Sequence, residues 1–479
     1  MFFHNRLIRN ILSFSIVFLF IITSLCWVPY HEHWADEVQA FLIARDADWI
    51  EILTKTPYRE GQPILWHLLL KACIVIFGED VEISYVSIAI MSLAVGLIVF
   101  KFDIPLFYQI LIPFGYYFLY QYNIVARNYC LAYLALTLVG LFYKKRHDKI
   151  WAYTLSLAFL TETTSFYFPV AITLGCFYLY EIYTDHRDHY KRYILPLAFL
   201  ICIGLSVLWQ ILPINHFSYY SRSHNHLTFL FLLKSVFLSY NQLGAFLFLI
   251  ILSVYIWKFF YSYKNISSFS FNRNILYFLI LMAIFIISVA VIRPYSHHQG
   301  LFFGLLLFSL YAFFQIKINY LIATLLLLHI SWSVFSFIYD YNLMTSQQQA
   351  VIRFLKEKNL NHHTIFPIGY QTLPFQILYP RDKLFIPSEV PLYYTHEPSE
   401  YHIRHNFKQL LSTREQIMLI DPVSVAGIAH CQQIEDIKDS KKYFLFIFHG
   451  ALVNKGEQGY LQTLYLFINR DTYLNQQNI

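Results

Sequence analysis

The residues best suited to chemistry are two adjacent carboxylates, Asp36 and Glu37, in a polar segment (29–62) that follows the first apolar run. A positioned carboxylate can accept the proton of a hydroxyl group and so turn that group into a nucleophile. Acidic residues also favour the first turn of a helix for electrostatic reasons, so a purely structural role is the alternative. The pair is therefore a candidate catalytic site.

Cationic side chains that could bind phosphate recur in the later polar segments. A guanidinium group can bind phosphate through two parallel hydrogen bonds, although an arginine at a membrane boundary can also be a simple interface anchor. The candidates for phosphate binding are Arg45, Arg127, Arg293, His297 and His298, and the further polar candidates are Glu60, Tyr129, Glu162 and Arg222. Several such groups on one side of a membrane would indicate a polar cavity that opens outward.

Metal binding is a separate hypothesis. His31 and His33, and the pair His297-His298, offer nitrogen ligands, while Asp36 and Glu37 offer oxygens. The chain has no His-Glu-x-x-His or comparable metal signature. We therefore expect histidines that are neutral or contact phosphate; a divalent cation is the alternative, and metal dependence stays open.

Composition defines the elements that must position these groups. Of 479 residues, 57% are hydrophobic and only 13% are charged, whereas soluble domains carry about 25% charged residues. The apolar runs are long enough to cross the bilayer as helices, and we count about 11 to 13 of them. The sequence thus predicts a mainly α, polytopic transmembrane bundle. A net charge of +6 is too small to suggest a nucleic-acid partner.

The composition changes after residue 340, which divides the chain into a transmembrane domain (1–340) and a soluble tail (341–479). Val351, Phe354 and Leu355 have helical spacing, and strand-like runs follow. These runs are 364–368, 416–420, 443–448 and 461–468. We expect a small α/β domain, without a nucleotide site because no glycine-rich phosphate loop is present.

Basic clusters predict the orientation of the chain. Arg6 and Arg9 precede the first span, and the basic groups near 144–147, 186–192 and 258–273 mark cytoplasmic loops. The tail is then extracytoplasmic, and we expect a bacterial inner membrane because no retention signal and a single glycosylation sequon occur. Arg127 should lie outside, yet counting spans gives the opposite side, so one segment between 64 and 121 is predicted to be re-entrant or a tight pair.

The segment around Asp36 is predicted to be an amphipathic helix on the membrane surface. Ala35, Val38, Phe41 and Leu42 share one helical face, and Asp36 and Gln39 point away from it. Asp36 would then lie near the level of the lipid head groups.

This layout resembles the GT-C superfamily of membrane glycosyltransferases, which includes protein O-mannosyltransferases and the aminoarabinose transferase of lipid A. The motifs that carry the resemblance are Asp36-Glu37, Ala44-Arg45, Gly61-Gln62-Pro63-Ile64-Leu65-Trp66 and Arg127-Asn128-Tyr129. An outward α/β tail is also similar to many relatives. Gln62 departs from the pattern, because several relatives have lysine or a second proline there, and the repeat domain of the protein mannosyltransferases has no counterpart.

The resemblance implies a polyprenyl-phosphate-linked sugar donor, a glycan, lipid or protein acceptor, and inverting transfer on the outer face of the membrane. Asp36 matches the leading acidic position and would be the general base, with Glu37 positioning it or the acceptor. Arg127 and Arg293 are the first candidates to support the phosphate leaving group, and the remaining basic candidates rank second.

Two other functions fit the hydropathy. An O-antigen ligase or polymerase would place its decisive arginines and histidine in a large late outer loop, whereas here the acidic loop comes first. A glycolipid transporter or flippase would often show internal repeats, and we find none. Both features favour the transferase.

Overall fold

A computed structural model describes the following parts of the chain: 2–31, 33–57, 62–212, 273–292, 298–314, 320–342, 347–368, 372–384, 417–420, 442–449 and 463–477. Four candidate site residues lie outside these parts, namely Glu60, Arg222, Arg293 and His297. The chain forms two compact units. The helical unit comprises Met1–Pro29, Gly61–Trp66 and Glu82–Ile338; the mixed unit comprises Tyr30–Glu60, His67–Val81 and Tyr339–Ile479.

Helices dominate the described residues, as the sequence predicts. In chain order they are α1 (Phe2–Trp27), α2 (Ala35–Asp46), α3 (Trp49–Thr54), α4 (Leu65–Phe77), α5 (Ile83–Lys101), α6 (Leu106–Phe114), α7 (Tyr129–Tyr143), α8 (Ile150–Thr161), α9 (Phe168–Asp185), α10 (Lys191–Ile211), α11 (Arg273–Ile292), α12 (Gln299–Phe313), α13 (Tyr320–Asn342), α14 (Gln347–Glu357), α15 (Leu373–Leu378) and α16 (Arg470–Gln477). This confirms the mainly helical class.

Three of the described helices are long and apolar enough to cross a membrane. These segments are Ile8–Tyr30, Ile83–Lys101 and Lys191–Ile211, with 23, 19 and 21 residues. At a rise of 1.5 Å per residue, even 19 residues extend about 28 Å, which approaches the thickness of the hydrocarbon core. Exposed apolar side chains on α1, among them Phe14 and Phe18, suit contact with lipid. The first predicted span is thus a single long apolar helix.

The chain between α5 and α7 is a broken segment rather than one long helix. Helix α6 has nine residues, contains Pro113 and ends at Phe114, and a five-residue π-helical turn, Tyr117–Gln121, follows. Nine residues extend about 14 Å, which is less than half of a bilayer core. The helix is therefore interrupted within the part of the chain where the sequence predicts a re-entrant segment or a tight pair, and that topology stays a prediction.

The turn that carries Arg127 is fixed by buried hydroxyl groups of α5. Ser84 Oγ donates to the Ile124 carbonyl at 3.0 Å, and Ser87 Oγ donates to the Asn123 carbonyl at 2.6 Å. The Asn123 amide in turn donates to Ser24 Oγ of α1 at 2.6 Å. Because buried backbone carbonyls need partners, these bonds hold the turn in one conformation.

The mixed unit contains a four-stranded sheet formed by the tail. Its strands are β1 (Ile365–Ile368), β2 (Ile417–Ile420), β3 (Tyr443–His449) and β4 (Thr463–Asn469), in the spatial order β1-β2-β4-β3. Strands β1 and β2 are parallel, whereas β4 is antiparallel to both β2 and β3. All four strand positions predicted from the sequence are confirmed within two residues. Val351 and Leu355 of α14 join the buried residues of the sheet in one core.

Helix α2 lies where the sequence predicts it, but its environment differs from the prediction. Val38 and Leu42 belong to a core cluster with Ile52 of α3 and Leu373 of α15, and all four side chains are fully buried. Gln39, expected to point away from the apolar face, is buried as well. The prediction of a helix whose apolar face lies in the lipid surface is therefore wrong, because protein covers that face.

Candidate functional site

Glu37 belongs to a buried acid–imidazole cluster at the start of α2. Its Oε2 accepts the Trp34 backbone N–H at 2.7 Å, one residue before the helix begins. A glutamate in the first helical turn is well placed to reach back to this N–H group, and the Trp34 backbone is extended just before α2 begins. The contact also fixes the rotamer of the carboxylate.

Two histidines surround the Glu37 carboxylate. Nε2 of His31 lies 3.2 Å from both carboxylate oxygens, and Nδ1 of His33 lies 3.7 Å from Oε1. Nδ1 of His31 faces Asp340 Oδ2 at 3.8 Å. The side chains of His31 and Glu37 are fully enclosed, and that of His33 is 14% exposed. The arrangement collects two imidazoles and two carboxylates in a site shielded from water.

The charge state of Glu37 is set by these histidines. Burial by itself raises the pKa of a carboxyl group, but the adjacent His31, with a smaller contribution from His33, outweighs burial and holds the pKa of Glu37 well below its usual range. The group is therefore a carboxylate at neutral pH. Asp36, its neighbour in sequence, is only half-buried.

Arg45, at the end of α2, is paired with its neighbour. Nε and one terminal nitrogen of its guanidinium donate to the two Asp46 oxygens at 2.8 and 3.0 Å. Its side chain is 7% exposed, and Lys71 Nζ donates to its backbone carbonyl at 3.2 Å. Because Asp46 already receives a bidentate contact, a phosphate group would have to compete for this arginine.

In the helical unit, Arg127 lies beside an aromatic ring. Its guanidinium carbon lies 5.1 Å from the centre of the Tyr129 ring, a distance typical of a cation–π contact. His298 contacts both Tyr129 and Phe166, with ring centres 5.6 and 4.6 Å apart. The structure thus brings together three sequence candidates, Arg127, Tyr129 and His298, and adds Phe166.

The turn after α8 approaches this cluster through a backbone contact. Asn128 Nδ2 donates to the Thr163 carbonyl at 2.8 Å. On the other side, Gly300 permits close packing, because a Cβ there would lie 2.5 Å from ring atoms of both Tyr117 and Tyr122. The aromatic surroundings of Arg127 are therefore tightly packed.

Glu162, the other acidic candidate, has amide partners. Gln210 Nε2 lies 3.4 and 3.5 Å from the two Glu162 oxygens, while its Oε1 accepts the Ile64 N–H at 3.0 Å. Burial raises the pKa of Glu162, and the hydrogen bond from Gln210 opposes that shift only in part. Gln62, the departure from the family pattern, donates to Ser165 Oγ at 2.8 Å. This part of the Gly61–Trp66 motif is therefore used in packing against the turn after α8.

The sequence interpretation noted His31 and His33 as possible nitrogen ligands, but it missed two partners of the acidic candidates, Asp340 and Gln210. Asp340 and Gln210 lie so far along the chain from Glu37 and Glu162 that only folding brings them together.

Comparison with known proteins adds no relative: no family model, curated protein or solved structure matches the chain.

Proposed function

We propose that the chain is an integral-membrane glycosyltransferase that moves a sugar from a polyprenyl-phosphate donor to a hydroxyl group on the outer side of a membrane. Three described helices are long and apolar enough to cross a bilayer, where such a lipid-linked donor resides, and this supports the proposal. Inversion at the anomeric carbon and a bacterial inner membrane are parts of the same proposal.

The observation that carries the proposal is the difference between two adjacent acids. Glu37 is enclosed and contacts two histidines, whereas Asp36, one residue earlier in the same helical turn, is only half-buried. A general base must reach the hydroxyl group whose proton it accepts. Asp36 is thus the better candidate for the base, and Glu37 the better candidate for a positioning residue.

The reaction assigns each bond change to one group. Asp36 accepts the proton of the acceptor hydroxyl as its oxygen forms a bond to the anomeric carbon. The bond from that carbon to the phosphate oxygen breaks, and polyprenyl phosphate leaves with the electron pair. Positive groups stabilise the charge on the leaving oxygen. Among the described residues Arg127 is our first candidate for this role, because it lies in one cluster with two further sequence candidates, Tyr129 and His298.

The test is transfer by the full-length protein in membranes supplied with labelled polyprenyl-phosphate sugars. We expect Asp36→Asn to lower transfer at least about 100-fold, the lower limit of what a general base contributes, while expression and membrane insertion stay unchanged. Glu51→Gln is the matched control, since Glu51 is an acid on the neighbouring helix α3 with no proposed role.

Full transfer by Asp36→Asn would refute the assignment of the base. Movement of the labelled lipid across a vesicle membrane without a new glycosidic product would contradict the whole proposal and favour a flippase. Mass spectrometry of outer-face glycans and lipids, in cells with and without the protein, would identify the acceptor.

A further inference from the structure

The cluster at the start of α2 has the composition of a metal site. His31, His33 and Glu37 each offer one ligand atom, and these atoms lie within 4.8 Å of one another. Two imidazole nitrogens and one carboxylate oxygen form a donor set typical of zinc. Calcium and magnesium prefer oxygen ligands alone, so this set disfavours both.

The separations of the ligand atoms also suit a small tetrahedral ion. Zinc bonds of about 2.0–2.2 Å place neighbouring ligand atoms about 3.3 Å apart. His31 Nε2 and the Glu37 oxygens are already 3.2 Å apart, and His33 Nδ1 is 3.7 Å from Oε1. All three ligand atoms lie within 4.8 Å of one another, so the third ligand has to move closer to complete the site. His31 Nε2 faces both oxygens equally, so a single N–H there makes two long contacts rather than one short hydrogen bond.

The groups behind the ligands are arranged as in known metal sites. With Nε2 of His31 on the metal, its Nδ1–H faces Asp340 Oδ2, which lies 3.8 Å away. A carboxylate behind a histidine ligand fixes the tautomer and the ring orientation. Glu37 is oriented in the same manner by the Trp34 N–H at 2.7 Å. Glu37 is therefore held by a hydrogen bond, whereas Asp340 places a carboxylate near His31 Nδ1, just beyond hydrogen-bond distance.

We propose that His31, His33 and Glu37 bind one zinc-class divalent cation, with Asp340 orienting His31. Three protein ligands leave a fourth coordination position for water or a substrate oxygen. The proposal stands apart from the glycosyltransferase proposal, because metal binding can be measured whether or not the chain transfers a sugar.

The experiment is metal analysis of the full-length protein, purified through an affinity tag without histidines and dialysed against metal-free buffer. We expect about one zinc ion per chain. Cobalt loaded in its place should give the visible absorption of a four-coordinate site. Glu37→Gln, which keeps a carbonyl oxygen for the Trp34 N–H, and His33→Ala should lose the metal. Asp340→Asn should weaken binding about 10- to 100-fold.

His362→Ala is the matched control, since His362 is an exposed histidine elsewhere in the mixed unit. Asp36→Asn should keep its zinc even where it loses transfer, which separates the two proposals. Zinc content in the wild type no higher than in His33→Ala, together with no cobalt spectrum, would overturn the site. Retention of metal by a folded Glu37→Gln protein would overturn the ligand assignment.

Discussion

Glu37 in the mixed unit is buried and Glu162 in the helical unit is half-buried, but the pKa values of their carboxyl groups shift in opposite directions. The pKa of Glu37 is held below its ordinary value, and the pKa of Glu162 is raised above it. Burial acts in the same direction on both groups. The difference comes from their partners, since Glu37 has two histidines and Glu162 has the neutral amide of Gln210.

The arginines of the two units repeat this contrast. Arg45 is neutralised by Asp46, while Arg127 is supported by the ring of Tyr129. The helical unit also contains an ion pair, since the Arg146 guanidinium donates to both Glu181 oxygens at 2.6 and 2.7 Å, so the contrast concerns these particular residues and not the two units as a whole.

The largest expected effect is on stability when the charged partner in the mixed unit is removed. Glu37→Ala leaves the buried His31 and the half-buried His33 without their carboxylate, and breaking a buried pair in this way costs about 3–5 kcal/mol. Glu162→Ala removes only weak amide contacts and should cost about 1 kcal/mol or less. Thermal unfolding of both variants in detergent, with a chelator present, measures the difference. Equal losses would show that the contrast between the two glutamates has no energetic consequence.

The next effect concerns transfer and compares the two arginines. Arg127→Ala should lower transfer about 100-fold, as expected when one group that stabilises developing charge is removed. Arg127→Lys should recover part of this loss, because lysine keeps the charge but not the planar fork. Arg45→Ala should change transfer far less, because its charge is already balanced. A larger loss with Arg45→Ala would reverse our ranking of the phosphate ligands.

Local patterns predicted much of this molecule. The strands of the tail were predictable because β-branched and aromatic runs such as 443–448 are bounded by polar residues. The helix at Asp36 was predictable from the spacing of its apolar residues. The residues that bury its apolar face were not predictable, because one of them, Leu373, lies more than 300 residues further along the chain.

The candidate site divides in the same manner. Asp36, Glu37 and Arg127 are recognisable by type and spacing, and the histidines at 31 and 33 could be noted as nitrogen donors. Their partners could not be identified, since Asp340 and Gln210 are polar residues in apolar helices with no local signal of a role. Pairing over such distances is decided by packing of whole elements.

The smallest expected effect is a change in how stability depends on pH. The folded-state pKa of Glu162 is raised above its ordinary value of 4.5, so the folded protein holds this proton more tightly than the unfolded chain. The contribution of Glu162 is therefore most favourable below its ordinary pKa and declines as pH rises through the folded-state pKa. Glu162→Gln cannot ionise and should remove this decline.

Thermal unfolding midpoints should be measured from about pH 4 to about pH 8. At the acidic end, Glu162→Gln should have the same midpoint as the wild type. Near neutral pH its midpoint should be higher, by no more than about 2–4 °C. Gln210→Leu is the complementary variant. It removes the hydrogen bond that partly offsets burial, so the wild-type decline should become steeper. If the midpoints of Glu162→Gln and the wild type depend on pH in the same way, then burial does not raise the pKa of Glu162. The proposed difference between the pKa shifts of Glu37 and Glu162 would then be wrong.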